Sequence, residues 1–210
     1  MSKVRLEAFS DGVLAIAITL LVIEIRPPEV HEGESLAHAL WGLWPSYLAY
    51  LVSFLTIGVI WLNHHGIFQQ VVRVDGPLLV LNLNLLLWTA LIPFPTAVVA
   101  DNLAAGGEPA RTAAALYSGV LLLMGLAFGA LFAWVTHDAR LLQRLPPPRI
   151  VRAARLRFMV GQVVYLVAFA LSWVSAPVSV ALAGLMALYY AFDQTTVRAQ
   201  REPDDQLPSA

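Results

Sequence analysis

Apolar residues run along the chain in six blocks of roughly 20, the length that a helix needs to cross the hydrocarbon core of a bilayer. They predict helices near residues 4–25, 43–65, 77–100, 110–135, 158–175 and 177–197. Each interruption carries its own signal. Pro27-Pro28 ends the first helix, Asp75-Gly76-Pro77 starts the third, and Gly106-Gly107-Glu108-Pro109 parts the third from the fourth. Pro146-Pro147-Pro148 sits in the loop before the fifth, and Ala176-Pro177 makes the last connection tight. The pattern predicts an all-α integral membrane domain over residues 1–200, followed by a disordered tail over 201–210. No internal repeat is visible.

Composition removes the soluble alternative, since 59% of the residues are hydrophobic and 13% charged, against about a quarter charged in soluble domains. Cysteine is absent, which excludes disulfides, thiolate metal sites and cysteine nucleophiles. The placement of the cations sets an orientation. Lys3, Arg5, Arg73, Arg140, Arg144, Arg149, Arg152, Arg155, Arg157, Arg198 and Arg201 fall on one side of a six-span layout, leaving Arg26 and Arg111 on the other. Both termini are therefore expected in the cytoplasm, in a multi-pass protein of the plasma or inner membrane. Five or seven spans would scatter the basic loops over both sides. The apolar run of the first helix has no small-residue cleavage site after it, so the helix is expected to stay in the mature protein. Arg149, Arg152 and Arg155 stand at helical spacing in the proline-rich loop. They read either as a solvated orientation signal or as a contact for anionic lipid headgroups.

The first helix departs from a lipid-facing span. It opens Arg5-Leu6-Glu7-Ala8-Phe9-Ser10-Asp11-Gly12 and keeps Glu24 near its far end, and such groups belong inside a bundle or beside water. At about 100° per residue, Ile16, Leu20 and Ile23 lie within about 40° of one direction and Thr19 about 60° to the side. Ser10 and Asp11 point elsewhere. From periodicity alone the stripe reads first as an ordinary helix interface, and it also fits a ring from several copies whose apolar side chains exclude water. Ser10, Asp11, Trp61, His64 and Asn84 are candidates for one polar cluster behind this helix. Adjacent His64 and His65 point about 100° apart, too far to share a metal. No catalytic set at depth and no cofactor motif emerges, so an enzyme is not expected. Arg5 is expected to pair with Asp193 or with Asp11 of a neighbouring subunit, and Glu24 either draws cations or is a solvated helix end.

Arg5-x-x-x-Phe9-Ser10-Asp11, running into Gly12-Val13-Leu14-Ala15-Ile16-Ala17-Ile18-Thr19-Leu20-Leu21, closely resembles the first-helix signature of the transmembrane protein 175 family. Trp61-Leu62-Asn63-His64-His65 looks like the end of that family's second helix, and Asn82-Leu83-Asn84 with Ile92-Pro93-Phe94-Pro95-Thr96 looks like its third. The resemblance implies a potassium-selective channel built as a homotetramer around the first helices. Ile16, Leu20 and Ile23 would form the constriction and Thr19 would supply a hydroxyl ring for selectivity. The missing Thr-Val-Gly-Tyr-Gly filter agrees with it. Potassium ions, membrane lipids and further copies of the chain are the implied partners, and nucleic acid is not among them. The competing expectation is a secondary transporter or proton-permeable pathway in which Asp11 and His64 titrate. The missing repeat and the lack of a helix broken at mid-membrane weigh against it.

Overall fold

Three helix starts in this chain are marked by side chains that occupy otherwise unpaired backbone N–H groups. The Ser2 hydroxyl accepts from the N–H of Arg5 at 3.4 Å, Ser35 from that of His38 at 3.2 Å, and Asp75 from that of Leu78 at 2.9 Å. In the computed structural model, which describes residues 2–30, 32–137, 140–143 and 146–199 with side chains as far as Phe192, these caps open α1 (Lys3–Ile23), α2 (Leu36–Gly42) and α4 (Gly76–Leu91). The remaining helices are α3 (Trp44–Gln70), α5 (Pro93–Asn102), α6 (Gly107–His137), α7 (Pro148–Ser172) and α8 (Ala176–Ala199). Prolines sit in the first turns of α3, α4, α5 and α7, where a missing N–H leaves no bond broken.

Five stretches are long and apolar enough to cross a membrane: Lys3–Ile23, Trp44–Gln70, Gly76–Asn102, Gly107–His137 and Pro148–Ser172. Ala176–Phe192 is a shorter apolar helix. Three expectations change. The third predicted helix is two, because Pro93 cannot donate to the carbonyl of Thr89, and the N–H of Ile92 turns back to that carbonyl at 3.2 Å instead. The fifth begins at Pro148 rather than near 158, so Arg149, Arg152 and Arg155 lie on a helix and not in a loop. No breaker follows Pro148, and the helix simply continues. The short α2 is absent from the hydropathy pattern, since seven residues are too few for a periodic signal. The predicted tail lies outside the described residues. Gly106 and Gly107, at φ 68° and 66°, turn the chain from α5 into α6 through the left-handed region that glycine alone enters easily.

α6 is the axle of the bundle, packing against α4, α5, α7 and α8, whereas α1 lies on α3, α4 and α5. Small residues let the backbones approach, as is usual between helices in lipid. A Cβ on Gly119 would stand 3.4 Å from the Phe169 ring, and one on Gly125 3.8 Å from Tyr165. Most polar side chains inside are matched, with buried Ser179 Oγ the exception among the described residues. Ser53 Oγ lies 2.7 Å from Thr96 Oγ1 and 2.9 Å from Tyr117 Oη, and Thr96 donates to the Ile92 carbonyl at 2.8 Å. The proton order therefore runs Tyr117 to Ser53 to Thr96 to Ile92 and ends on backbone. At one end of the bundle the α3–α4 and α6–α7 connections join, through Val72 N–H to the Leu141 carbonyl and Gln143 N–H to the Gln70 carbonyl, each at 2.8 Å.

α7 meets α8 at Gly161. A Cβ there would stand 3.1 and 3.2 Å from Tyr190 Cζ and Cε2 and run into the Tyr190 hydroxyl, which is held by its bond to the Arg157 carbonyl at 2.8 Å. Gly161→Ala should therefore lower the stability of the detergent-solubilised protein by about 1–3 kcal/mol. In a Tyr190→Phe background, where the hydroxyl is gone, thermal unfolding should show a smaller loss for the same change.

Candidate functional site

Leu6, Ser10, Leu14, Ala17 and Leu21 form the buried face of α1, stepping by four, four, three and four residues. The predicted stripe is on the other side. Ile16, Leu20 and Ile23 are 60%, 41% and 69% exposed, and Thr19 is exposed with them, so none of the four belongs to the subunit's own core. From Ile16 to Ile23 the stripe rises about 10 Å along the helix. The Thr19 hydroxyl donates to the Ile16 carbonyl at 2.9 Å. That bond uses its proton and leaves the oxygen able only to accept. Phe9 and Arg5 continue the exposed face toward the N-terminal end. Glu24 caps the other end, half-buried. Arg5 meets no carboxylate among the described residues. The side chain of Asp193, one of its expected partners, lies outside them, and Asp11 of a neighbour lies outside a single chain.

The expected polar cluster separates into two. In the buried part, Ser10 Oγ donates to the Leu6 carbonyl at 2.9 Å and accepts from Asn82 Nδ2 at 2.9 Å. The Asn82 carbonyl is then left to accept from His64 Nε2 at 2.8 Å, which places a proton on that nitrogen. The His64 ring stacks on buried Phe68 with centroids 4.2 Å apart. In the exposed part, Trp61 Nε1 donates to Asp11 Oδ1 at 3.0 Å, and the Trp61 ring lies over His65 at 6.0 Å.

Asn84 is a correction. It is exposed, and the amide inside the bundle is Asn82. Asn82 is in register with Leu78, Leu85, Leu86 and Thr89, the other buried residues of α4. The flanking leucines make that helix apolar all round, so its inward face is not legible before its neighbours are known. His64 and His65 also part company. His64 is sealed on Asn82, and His65 bonds Gln69 at 2.9 Å on the surface.

A family model described as the endosomal/lysosomal potassium channel TMEM175 matches residues 5–93. A protein of Streptomyces collinus named a potassium channel is 47% identical over 92% of this chain and 93% of its own length. One of Chamaesiphon minutus, also so named, is 43% identical over 89% and 92%. The human protein named endosomal/lysosomal proton channel TMEM175 is 42% identical over 39% of this chain and 18% of itself. Among solved structures, the lysosomal potassium-selective channel TMEM175 homologue from Chamaesiphon minutus superposes with a TM-score of 0.81, at 42% identity, over 91% of this chain and 97% of that one. A variant of the potassium channel MtTMEM175, solved with a nanobody fusion, shares the fold at 18% identity and a TM-score of 0.58, over 94% of each chain.

The two asparagines of α4 separate the roles. Asn82→Ala strands the His64 N–H and removes the donor to Ser10, and it should cost about 1–3 kcal/mol of stability. Asn84→Ala removes no side-chain bond among the described residues. Thermal unfolding in detergent should show a clear drop for the first and almost none for the second.

Proposed function

Because the chain belongs to the TMEM175 family, whose model is described as a potassium channel, we propose that it is a potassium-selective channel in which four six-span subunits surround one pore lined by α1. The observation that carries this reading is the free face of α1. Its buried face is used by α3, α4 and α5, yet the opposite face sets Ile16, Thr19, Leu20 and Ile23 in one exposed strip that no other described helix covers. Four copies around an axis bring those strips together.

Rings of Ile16, Leu20 and Ile23 then form a constriction without charge. Water leaves a narrow aliphatic ring, and a cation stripped of its hydration cannot enter a low-dielectric neck, so the ring gates without a plug. Thr19, one position before Leu20, offers four hydroxyl oxygens whose protons are already committed to Ile16. They stand in for part of an ion's water shell and favour the more easily dehydrated potassium. The polar pairs behind the helix, Ser10–Asn82–His64 and Asp11–Trp61, hold α1 in the rotation that presents this strip. The bundle end that carries Lys3, Arg73 and the arginines of α7 faces the cytoplasm of a plasma or inner membrane.

A second reading, protons as a permeant species, has its support in the name of the vertebrate relatives. The buried bonds do not form a wire for them, since the order from His64 through Asn82 and Ser10 ends on the Leu6 carbonyl. Any proton current would use the water of the central pore.

Planar-bilayer recordings of the purified protein, with potassium and sodium on opposite sides, test the proposal. Unitary steps should appear, with a reversal potential set mainly by potassium. Leu20→Asn and Ile16→Asn should each raise conductance severalfold for both ions, because a polar ring is easier to wet. Thr19→Val keeps the volume and deletes the hydroxyl, so it should lower the potassium preference with little change in conductance. In this cysteine-free chain, Leu20→Cys should crosslink subunits under mild oxidation. Unchanged currents in both Asn variants together with intact selectivity in Thr19→Val would place the pore elsewhere.

A further inference from the structure

α7 is the least covered of the long helices. It packs on α6 and α8, whereas α1 packs on α3, α4 and α5, and it leaves its outer face bare. Along that face Arg152, Leu156, Met159, Val163 and Leu166 recur at steps of four, three, four and three, all exposed. They form one ladder within about 40° of a line. Arg149 and Arg155 flank Arg152 by about 60° on either side. The foot of an apolar ladder thus carries three cations on one face.

A cleft of about 970 Å³ opens there, lined by Gln70, Thr136, Pro147, Val151, Arg152 and Arg155. Arg155 Nη2 donates to Thr136 Oγ1 at 3.3 Å, which fixes its guanidinium at the cleft wall. Among the described residues no carboxylate pairs with Arg149, Arg152 or Arg155. The N-cap Pro147 supplies no side-chain bond to the first N–H groups of α7, so the positive end of the helix adds to the same field.

We propose that this cleft holds the phosphate of an anionic phospholipid from the cytoplasmic leaflet, with Arg152 and Arg155 on the headgroup and its acyl chains along Leu156, Met159, Val163 and Leu166. A free phosphate shares the headgroup chemistry. The ladder favours the lipid, because it starts directly at the arginines and offers apolar surface that a soluble anion does not use. The leaflet assignment rests on the membrane orientation proposed above, and the binding itself does not depend on ion conduction.

Native mass spectrometry of the intact assembly in detergent, titrated with phosphatidylglycerol or with phosphatidylcholine, tests it. Phosphatidylglycerol should bind more tightly. Arg152→Gln with Arg155→Gln should weaken it by roughly 10- to 30-fold, in line with about 1 kcal/mol for each cation near the headgroup layer. Arg152→Lys should retain most of the binding, and Arg26→Gln with Arg111→Gln, at the other end of the bundle, should behave as the unaltered chain. Equal binding of the two lipids, or unchanged phosphatidylglycerol affinity in the double glutamine variant, would overturn the site. Displacement of the lipid by millimolar inorganic phosphate would overturn the lipid as its occupant. Arg149→Cys should react with a membrane-impermeant thiol reagent only from the cytoplasmic side. Labelling from outside alone would overturn the orientation, and with it the leaflet.

Discussion

The bond order from His64 through Asn82 to Ser10 and the Leu6 carbonyl determines how α1 is rotated on the bundle. His64–Asn82 joins α3 to α4 and Ser10–Leu6 lies within α1, so the bond of that series that ties α1 to its neighbours is Asn82 to Ser10. Turning α1 by one residue, about 100°, would strand the Asn82 amide donor in a medium without water. Leu6, Leu14, Ala17 and Leu21 share the inward face and add their burial to the same orientation. The outward strip of Ile16, Thr19, Leu20 and Ile23 follows from it. The surface proposed to meet the ion is thus held by groups that never touch it.

Most of the other buried hydroxyls obey the same constraint, Ser179 being the exception among the described residues. Tyr117, Ser53 and Thr96 donate hydrogen bonds in one direction and close on backbone, while Thr56, Thr89 and Ser118 each bond a carbonyl one turn back in their own helix. Glycines on α6 and α7 replace side chains with close backbone approach, and aromatic rings fill the space so released. The result is a rigid wall with two surfaces of different kind. At one, α1 shows its strip to the proposed axis. At the other, α7 shows an apolar ladder with arginines at its foot, the composition of a surface that meets lipid and its headgroups.

Pro93 illustrates how a local rule acts within that wall. It breaks the third long span off-centre, at Ile92, and Thr89 reaches back to Leu85 beside the interrupted turn. The freed backbone groups stay within a covered region, and so the break is tolerated. The same residue type at Pro148 does the opposite, opening α7 about ten residues earlier than hydropathy alone suggests and carrying the arginines into regular structure.

Much of this was legible in the chain itself. Runs of apolar residues have a length fixed by the bilayer, so the all-helical membrane class follows from one-dimensional information. The face of α1 was legible only in part. Arg5, Glu7, Ser10 and Asp11 mark its first turns as polar, but residues 13–23 are apolar all round except Thr19. Periodicity therefore left the exposed strip open between a helix interface and a ring, and its proposed role came from the family resemblance. The partners of that helix were not legible. Asn82 and Asn84 sit in the same leucine-rich helix with nothing local to separate them, and only the packing of α4 on α6 and α1 turns Asn82 inward to Ser10 and His64. The grouping of Ser10, Asp11, Trp61 and His64 divided for the same reason: residues one position apart on a helix point about 100° apart, and the neighbours that each then meets are set by tertiary packing. The sequence by itself determined which residues lipid would reject, since transfer cost belongs to the side chain. Which of them would find one another was decided by the fold, because a hydrogen bond needs two groups within about 3 Å and that distance is a property of the assembled bundle.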